Sequence, residues 1–142
     1  MRTVLCVVGV VAACAAGERR SAAPNVAQKY TGTWEGRSYR SPSDSGVPFR
    51  TLMALVADGS LRGTLMYPGR TLPPVPIRVR EYSDTSFVQE LGPFHSLVAN
   101  REVVARAVGH VKGDSLSGTF EMRPPSGGDV IMTGTFRAKK VS

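Results

Sequence analysis

Gly32-Thr33-Trp34, Gly63-Thr64-Leu65, Gly118-Thr119-Phe120 and Gly134-Thr135-Phe136 are four copies of one short phrase, and two of them extend backwards into Ser60-Leu61-Arg62 and Ser115-Leu116-Ser117. On a β-strand, side chains alternate between faces, so each copy sends its Gly and its large apolar residue to one face and its Thr to the other. A Gly inside a strand packs nothing and weakens it, so its repeated use marks a place where the strand coils tightly and backbones pass closely. Small closed barrels need such places.

The rest of the chain from Lys29 onward agrees with a sheet. No segment carries a helical period; Leu97 to Val108 comes nearest, and its Val103-Val104 pair favours a strand. Turn signals recur at meander spacing, among them Ser41-Pro42-Ser43-Asp44-Ser45-Gly46, Asp58-Gly59, Tyr67-Pro68-Gly69, Lys112-Gly113-Asp114 and Pro124-Pro125-Ser126-Gly127-Gly128. Between the turns lie nine strand-like stretches. Two of these flank Gly92-Pro93 and reduce to one irregular strand with a loop, which leaves about eight. Parity puts Leu116, Gly118, Phe120 and Met122 on one face, with Val130, Met132, Gly134, Phe136 and Ala138, and Arg62, Thr64, Thr119, Glu121, Thr133, Thr135, Arg137 and Lys139 on the other. A polar outside and an apolar inside is the reverse of a membrane barrel. The expected fold is all-β: a small antiparallel up-and-down barrel, in preference to a sandwich.

Two resemblances sharpen this picture. Tyr30-Thr31-Gly32-Thr33-Trp34 resembles the Gly-x-Trp of the first strand in calycins, the lipocalin and avidin superfamily. Arg137, after Phe136, resembles the last-strand Arg that packs over that Trp. The resemblance implies that Trp34 and Arg137 form a structural pair closing one end of the barrel. The lipocalin Thr-Asp-Tyr motif and C-terminal helix are missing, and Gly36 stands where avidins carry a biotin-binding Asn, which argues against biotin.

At the N-terminus, Arg2 precedes the apolar run Thr3 to Val10, the plan of an export signal and too short to span a bilayer. Val11-Ala12-Ala13-Cys14 resembles a bacterial lipobox, which implies cleavage after residue 13 and lipidation of Cys14. Cleavage at an ordinary small-x-small site is the alternative. Cys6 would leave with the signal, so Cys14 would be the only thiol in the exported chain, and lipidation gives it a reason. By the Gram-negative sorting rule, Ala15 implies the outer membrane, facing the periplasm. The expected organisation is a signal peptide over 1–13, lipidated Cys14 with a flexible linker to residue 28, and a barrel domain over 29–142. Fourteen flexible residues span about 20 Å, which keeps the domain near the bilayer.

A chain of 142 residues, 42 % hydrophobic and 20 % charged, is one ordinary globular domain. Its net charge of +7 favours anionic surfaces. Nucleic acid is excluded by compartment and by the lack of aromatic residues interleaved with the cations; anionic lipid or lipopolysaccharide is the better match.

Catalytic signals are sparse. Gly113-Asp114-Ser115-Leu116 spells the signature of the GDSL esterases, but only 26 residues follow it and none is His. The same tetrapeptide suits a hairpin turn entering a strand, as does Asp58-Gly59-Ser60-Leu61. His95 and His110 stand alone, without the spacing of a metal site. The expectation is therefore no enzyme, no cofactor and no metal. The expected function is binding of a small apolar or amphipathic ligand inside the barrel, with Trp34, Phe49, Met53, Leu65, Ile77, Phe120, Met132 and Phe136 as candidate lining. The alternative is a surface interaction or inhibitor module with a packed core, acting through the loops at 41–46 and 124–128.

Overall fold

The structure is a computed structural model and describes residues 26–142. The expected signal segment, Cys14 and the linker up to residue 25 lie outside the described residues. Eight strands follow one another: β1 (Gly32–Tyr39), β2 (Val47–Leu55), β3 (Leu61–Met66), β4 (Val75–Tyr82), β5 (Ser86–Ser96), β6 (Arg101–Lys112), β7 (Ser115–Arg123) and β8 (Met132–Lys140). Each pairs antiparallel with the next, and β8 returns to β1, so the sheet closes into an up-and-down barrel. Closure leaves no sheet edge.

The Gly92-Pro93 stretch is one strand, β5, with a register shift between Leu91 and Phe94 and a cis Gly92–Pro93 bond. A second shift lies in β4 between Val79 and Glu81. One extra residue there reverses parity, so Tyr82 joins Val75, Ile77 and Val79 inside.

Glycines of the repeated phrase, joined by Gly36 and Gly109, do two things. A Cβ added at Gly36, Gly63, Gly118 or Gly134 would run into a carbonyl oxygen of the neighbouring strand, which is the close backbone approach the sequence implies. The missing side chain also leaves a notch on the inner face that a neighbour fills. Phe136 covers Gly118, Phe120 covers Gly134, Phe87 covers Gly109 and the Met53 thioether covers Gly63, each pair directly opposed in the ladder. Rings laid over cross-strand glycines are a known device for coiled sheets.

One end of the barrel is plugged. A helical turn over residues 26–31 lies at the end shared by the short hairpins 56–60, 83–85 and 113–114 and by the last residues, 141–142. Ala27 in this turn has no solvent exposure, so residues 26–28 belong to the domain and not to the expected linker. The turn continues into Tyr30, which packs edge-on against Tyr82 and Phe87, with ring centroids 5.8 and 5.7 Å away. Its hydroxyl donates to the carbonyls of Ser83 (2.8 Å) and Ser86 (3.0 Å). Trp34, 1 % exposed, donates from Nε1 to the Tyr30 carbonyl at 3.0 Å. The longer connections 40–46, 67–74, 97–100 and 124–131 gather at the opposite, loop end.

Candidate functional site

The barrel encloses a cavity of about 90 Å³, walled by inward-parity residues of every strand but β8's first half. Of the candidates chosen from sequence, Trp34, Phe49, Met53, Leu65, Ile77, Phe120 and Phe136 line it. Met132 does not reach the cavity; it packs against the core at the start of β8, across from Met122, which takes the lining position there. Parity alone identifies the inward face and not the depth along it, which is why the two methionines are indistinguishable in sequence.

Several lining residues were not among those candidates. Phe87, Leu91, Ala105, Ala107 and Tyr67 all contribute wall, and their signal is the same alternation read on β5, β6 and the residue after β3. Burial raises the Tyr67 phenol pKa above its ordinary value. The polar side chains facing the cavity are Ser38, Thr51 and Gln89, beside the two tyrosines. Gln89 has inward parity between Phe87 and Leu91 on β5, a polar residue at a position where every neighbour is apolar.

The expected pair of Trp34 and Arg137 is not formed. The cation over Trp34 is Lys140, with Nζ 5.8 Å from the ring centroid and within 3.3 Å of the Gln28 carbonyl. The reason is parity: Phe136, Ala138 and Lys140 face inward, Lys140 is the register partner of Trp34, and Arg137 points out. Arg137 instead lies over the Tyr39 ring at 5.2 Å, on the outer wall.

Outside, charges fall in rows. Arg62, Arg78, Glu90, Arg106 and Glu121 are successive register partners across β3 to β7. Arg80 donates to Glu90 at 2.8 Å, and this bond, helped by the Arg78 and Arg106 charges, holds the Glu90 carboxyl below the usual range. Arg37 and Arg137 directly oppose one another across β1 and β8, as Arg62 and Arg78 do across β3 and β4.

Gly113-Asp114 forms the β6–β7 hairpin, with Gly113 at φ 58°, and Ser115 pairs with Lys112 and Lys139. In the ladder, His110 stands opposite Ser117 and Ser86, and His95 opposite Glu102, all on the outer wall. Among the described residues, no helix is long and apolar enough to cross a membrane.

The loop end is held by local bonds. Asp44 accepts the backbone N–H of Arg40 (2.9 Å) and of Gly46 (3.0 Å), which lowers its pKa below the ordinary value. Buried Ser96 accepts from Val98 and Ala99 through Oγ, at 3.2 and 3.0 Å. Arg123 donates to the Gly128 carbonyl at 2.8 Å and closes the loop between β7 and β8.

Fold and site together define a small closed β-barrel, plugged at one end and hollow within, which agrees with the calycin-like expectation. Compared with known protein families and with curated proteins, the sequence matches none.

Proposed function

We propose that this chain is an exported, lipid-anchored protein of the bacterial cell envelope, at the outer membrane facing the periplasm, whose barrel binds a slender apolar or amphipathic ligand without catalysis. The apolar cavity at the barrel axis carries this reading. At about 90 Å³ it is smaller than the roughly 150 Å³ hole that admits benzene, so it takes only the tip of an unbranched acyl chain entering end-on, with the rest of the ligand outside. The Gln89 amide and the Thr51 hydroxyl are placed to meet a carbonyl or hydroxyl on such a chain. Export and anchoring are supported by the charged start, the apolar run and Val11-Ala12-Ala13-Cys14.

Native mass spectrometry of residues 24–142, secreted without Cys14 and purified without detergent, tests the ligand. A discrete added mass that departs on denaturation is the expected result. A clean apo mass that takes up no fatty acid or lipid on titration refutes it.

A second reading has its own support. The small cavity and the internally bonded loops at 41–46 and 124–128 also suit an interaction or inhibitor module that contacts other envelope proteins. The apo outcome favours it, and crosslinking from those loops in the intact envelope would then capture the partner.

A further inference from the structure

The inner wall of the barrel is apolar except at a few positions, and two of these lie deep. Thr51 is 8 % exposed on the inward face of β2, and its register partners Trp34 and Leu65 are both apolar. Gln89 faces in from β5 between Phe87 and Leu91, with Val79 and Ala107 as register partners. Among the described residues, neither side chain has a hydrogen-bond partner in the protein, and no buried side-chain polar atom is sealed away without one. The Thr51 hydroxyl and the Gln89 amide are therefore open to the cavity they line. An apolar side chain at either position would add to the core. Two unpartnered hydrogen-bonding groups forgo that gain and leave a demand that an occupant of the lumen can meet.

Their depth decides which part of an occupant they meet. The plug closes one end of the lumen, and the longer connections gather at the other. Trp34, level with Thr51, donates to the Tyr30 carbonyl in the plug, and Phe87, the inward neighbour of Gln89, packs on the Tyr30 ring. A chain entering from the loop end thus brings its leading end to Thr51 and Gln89. Ser38, near the end of β1, and Tyr67, just past β3, stand at the loop end instead.

The chemistry of that leading end follows from the wall. None of the residues lining the cavity is charged, so a leading carboxylate, phosphate or ammonium would be buried without a counter-charge. A leading methyl would leave both polar groups unmet. A hydroxyl donates and accepts, as the Thr hydroxyl and the Gln amide also do, and takes no more room than a methyl in a space of about 90 Å³. We infer that Thr51 and Gln89 are the specificity-determining residues of the lumen and select an unbranched chain whose leading end is a primary alcohol. This rests on the ligand-binding reading and narrows it.

The test compares nonanoate with ω-hydroxyoctanoate. The two match in length and charge and differ in whether the last heavy atom is a methyl carbon or a hydroxyl oxygen. Each is titrated at about pH 7.5 into residues 24–142, which hold all eight strands, the closing ladder and the plug, and dissociation constants are read from backbone amide shifts in nuclear magnetic resonance spectra. A wholly apolar lumen would favour nonanoate, because burying the hydroxyl unpaired is costly. Here ω-hydroxyoctanoate is expected to bind about tenfold more tightly. Gln89→Leu and Thr51→Val keep the approximate size and remove the hydrogen bonding; each should shrink this preference about threefold or more, and the double variant should prefer nonanoate. The order in the native domain decides the inference even where a variant does not fold. Nonanoate binding as tightly as ω-hydroxyoctanoate, or more so, overturns it and leaves the ligand-binding reading in place, as does a native preference that the double variant retains. Binding of neither acid refutes that reading and the inference with it. Octanol then separates two sources of the hydroxyl: binding as tight as that of the hydroxy acid assigns fatty alcohols, and weaker binding assigns ω-hydroxy acids.

Discussion

The Tyr30 hydroxyl is the point where the plug is fastened to the barrel, and replacing it by Phe removes one atom from a buried site. Two carbonyls, of Ser83 and Ser86, lose their shared donor at 2.8 and 3.0 Å while the ring keeps its edge contacts with Tyr82 and Phe87. Leaving such acceptors poorly satisfied costs about 1–2 kcal/mol. The same hydroxyl carries a pH signature. Burial, and secondarily the Asp84 charge, raise its pKa from 10.0 to about 12. A raised acid pKa means that the folded state holds its proton longer than the unfolded state. The associated stability is intact below about pH 10 and fades as pH climbs through about 12. One pH unit inside that window is worth about 1.4 kcal/mol, so by about pH 11 the native protein has lost about that much through Tyr30 alone. Tyr30→Phe cannot lose it. Urea denaturation at about pH 8 should find the variant about 1–2 kcal/mol less stable, and at about pH 11 the gap should close almost fully. A gap of the same size at both pH values would refute the coupling of this hydroxyl to the plug.

Three further substitutions have stated outcomes. Gly118→Ala drives a methyl against the Val108 carbonyl and the Phe136 ring and should cost more than about 2 kcal/mol, whereas Gly59→Ala, with open space around its Cβ but φ at 85°, should cost only about 1 kcal/mol; thermal unfolding compares them. Trp34→Ala should cost about 3–5 kcal/mol and Arg137→Ala under about 1 kcal/mol, since exposed Arg137 only overlies the half-buried Tyr39 on the outer wall; equal losses by urea titration would restore the Trp34–Arg137 pair. Arg78→Thr relieves the opposition of Arg62 and Arg78 and should stabilise by about 0.2–1 kcal/mol at low salt, with the gain shrinking as salt rises; a loss of stability would show that the Arg78 charge is needed beside Glu90.

The wall of this barrel was legible in sequence because it is written in a period of two. Phe49, Leu65, Ile77, Phe120 and Phe136 could be assigned to the interior from their strands alone, and the Gly-Thr phrase led to closure. What escaped reading is what breaks the period. The extra residue between Val79 and Glu81 turns Tyr82 inward, whereas the irregularity after Leu91 was legible because Gly92-Pro93 punctuates it. A bulge leaves no mark in a hydrophobic pattern, because it changes register and not composition. The plug escaped for another reason: Val26-Ala27-Gln28 has the composition of a linker, and only its landing on Tyr30 and the barrel end makes it part of the core. The calycin resemblance points to Arg137 as the cation over Trp34, whereas strict parity from Phe136 selects Lys140, and parity prevails.

Phe136 over Gly118, Phe120 over Gly134 and Phe87 over Gly109 amount to a lining laid in half-lap joints, each ring let into a notch cut in the next stave. The calibre of the tube is thus fixed in its wall and not along its axis. Planing a ring down to an aliphatic side chain widens the bore beside its notch. Filling the notch is closed off, because a methyl there meets a carbonyl of the adjoining stave as well as the ring. A barrel jointed in this way can be bored out one ring at a time but not narrowed, and its descendants could come to hold thicker cargo while remaining the same tube.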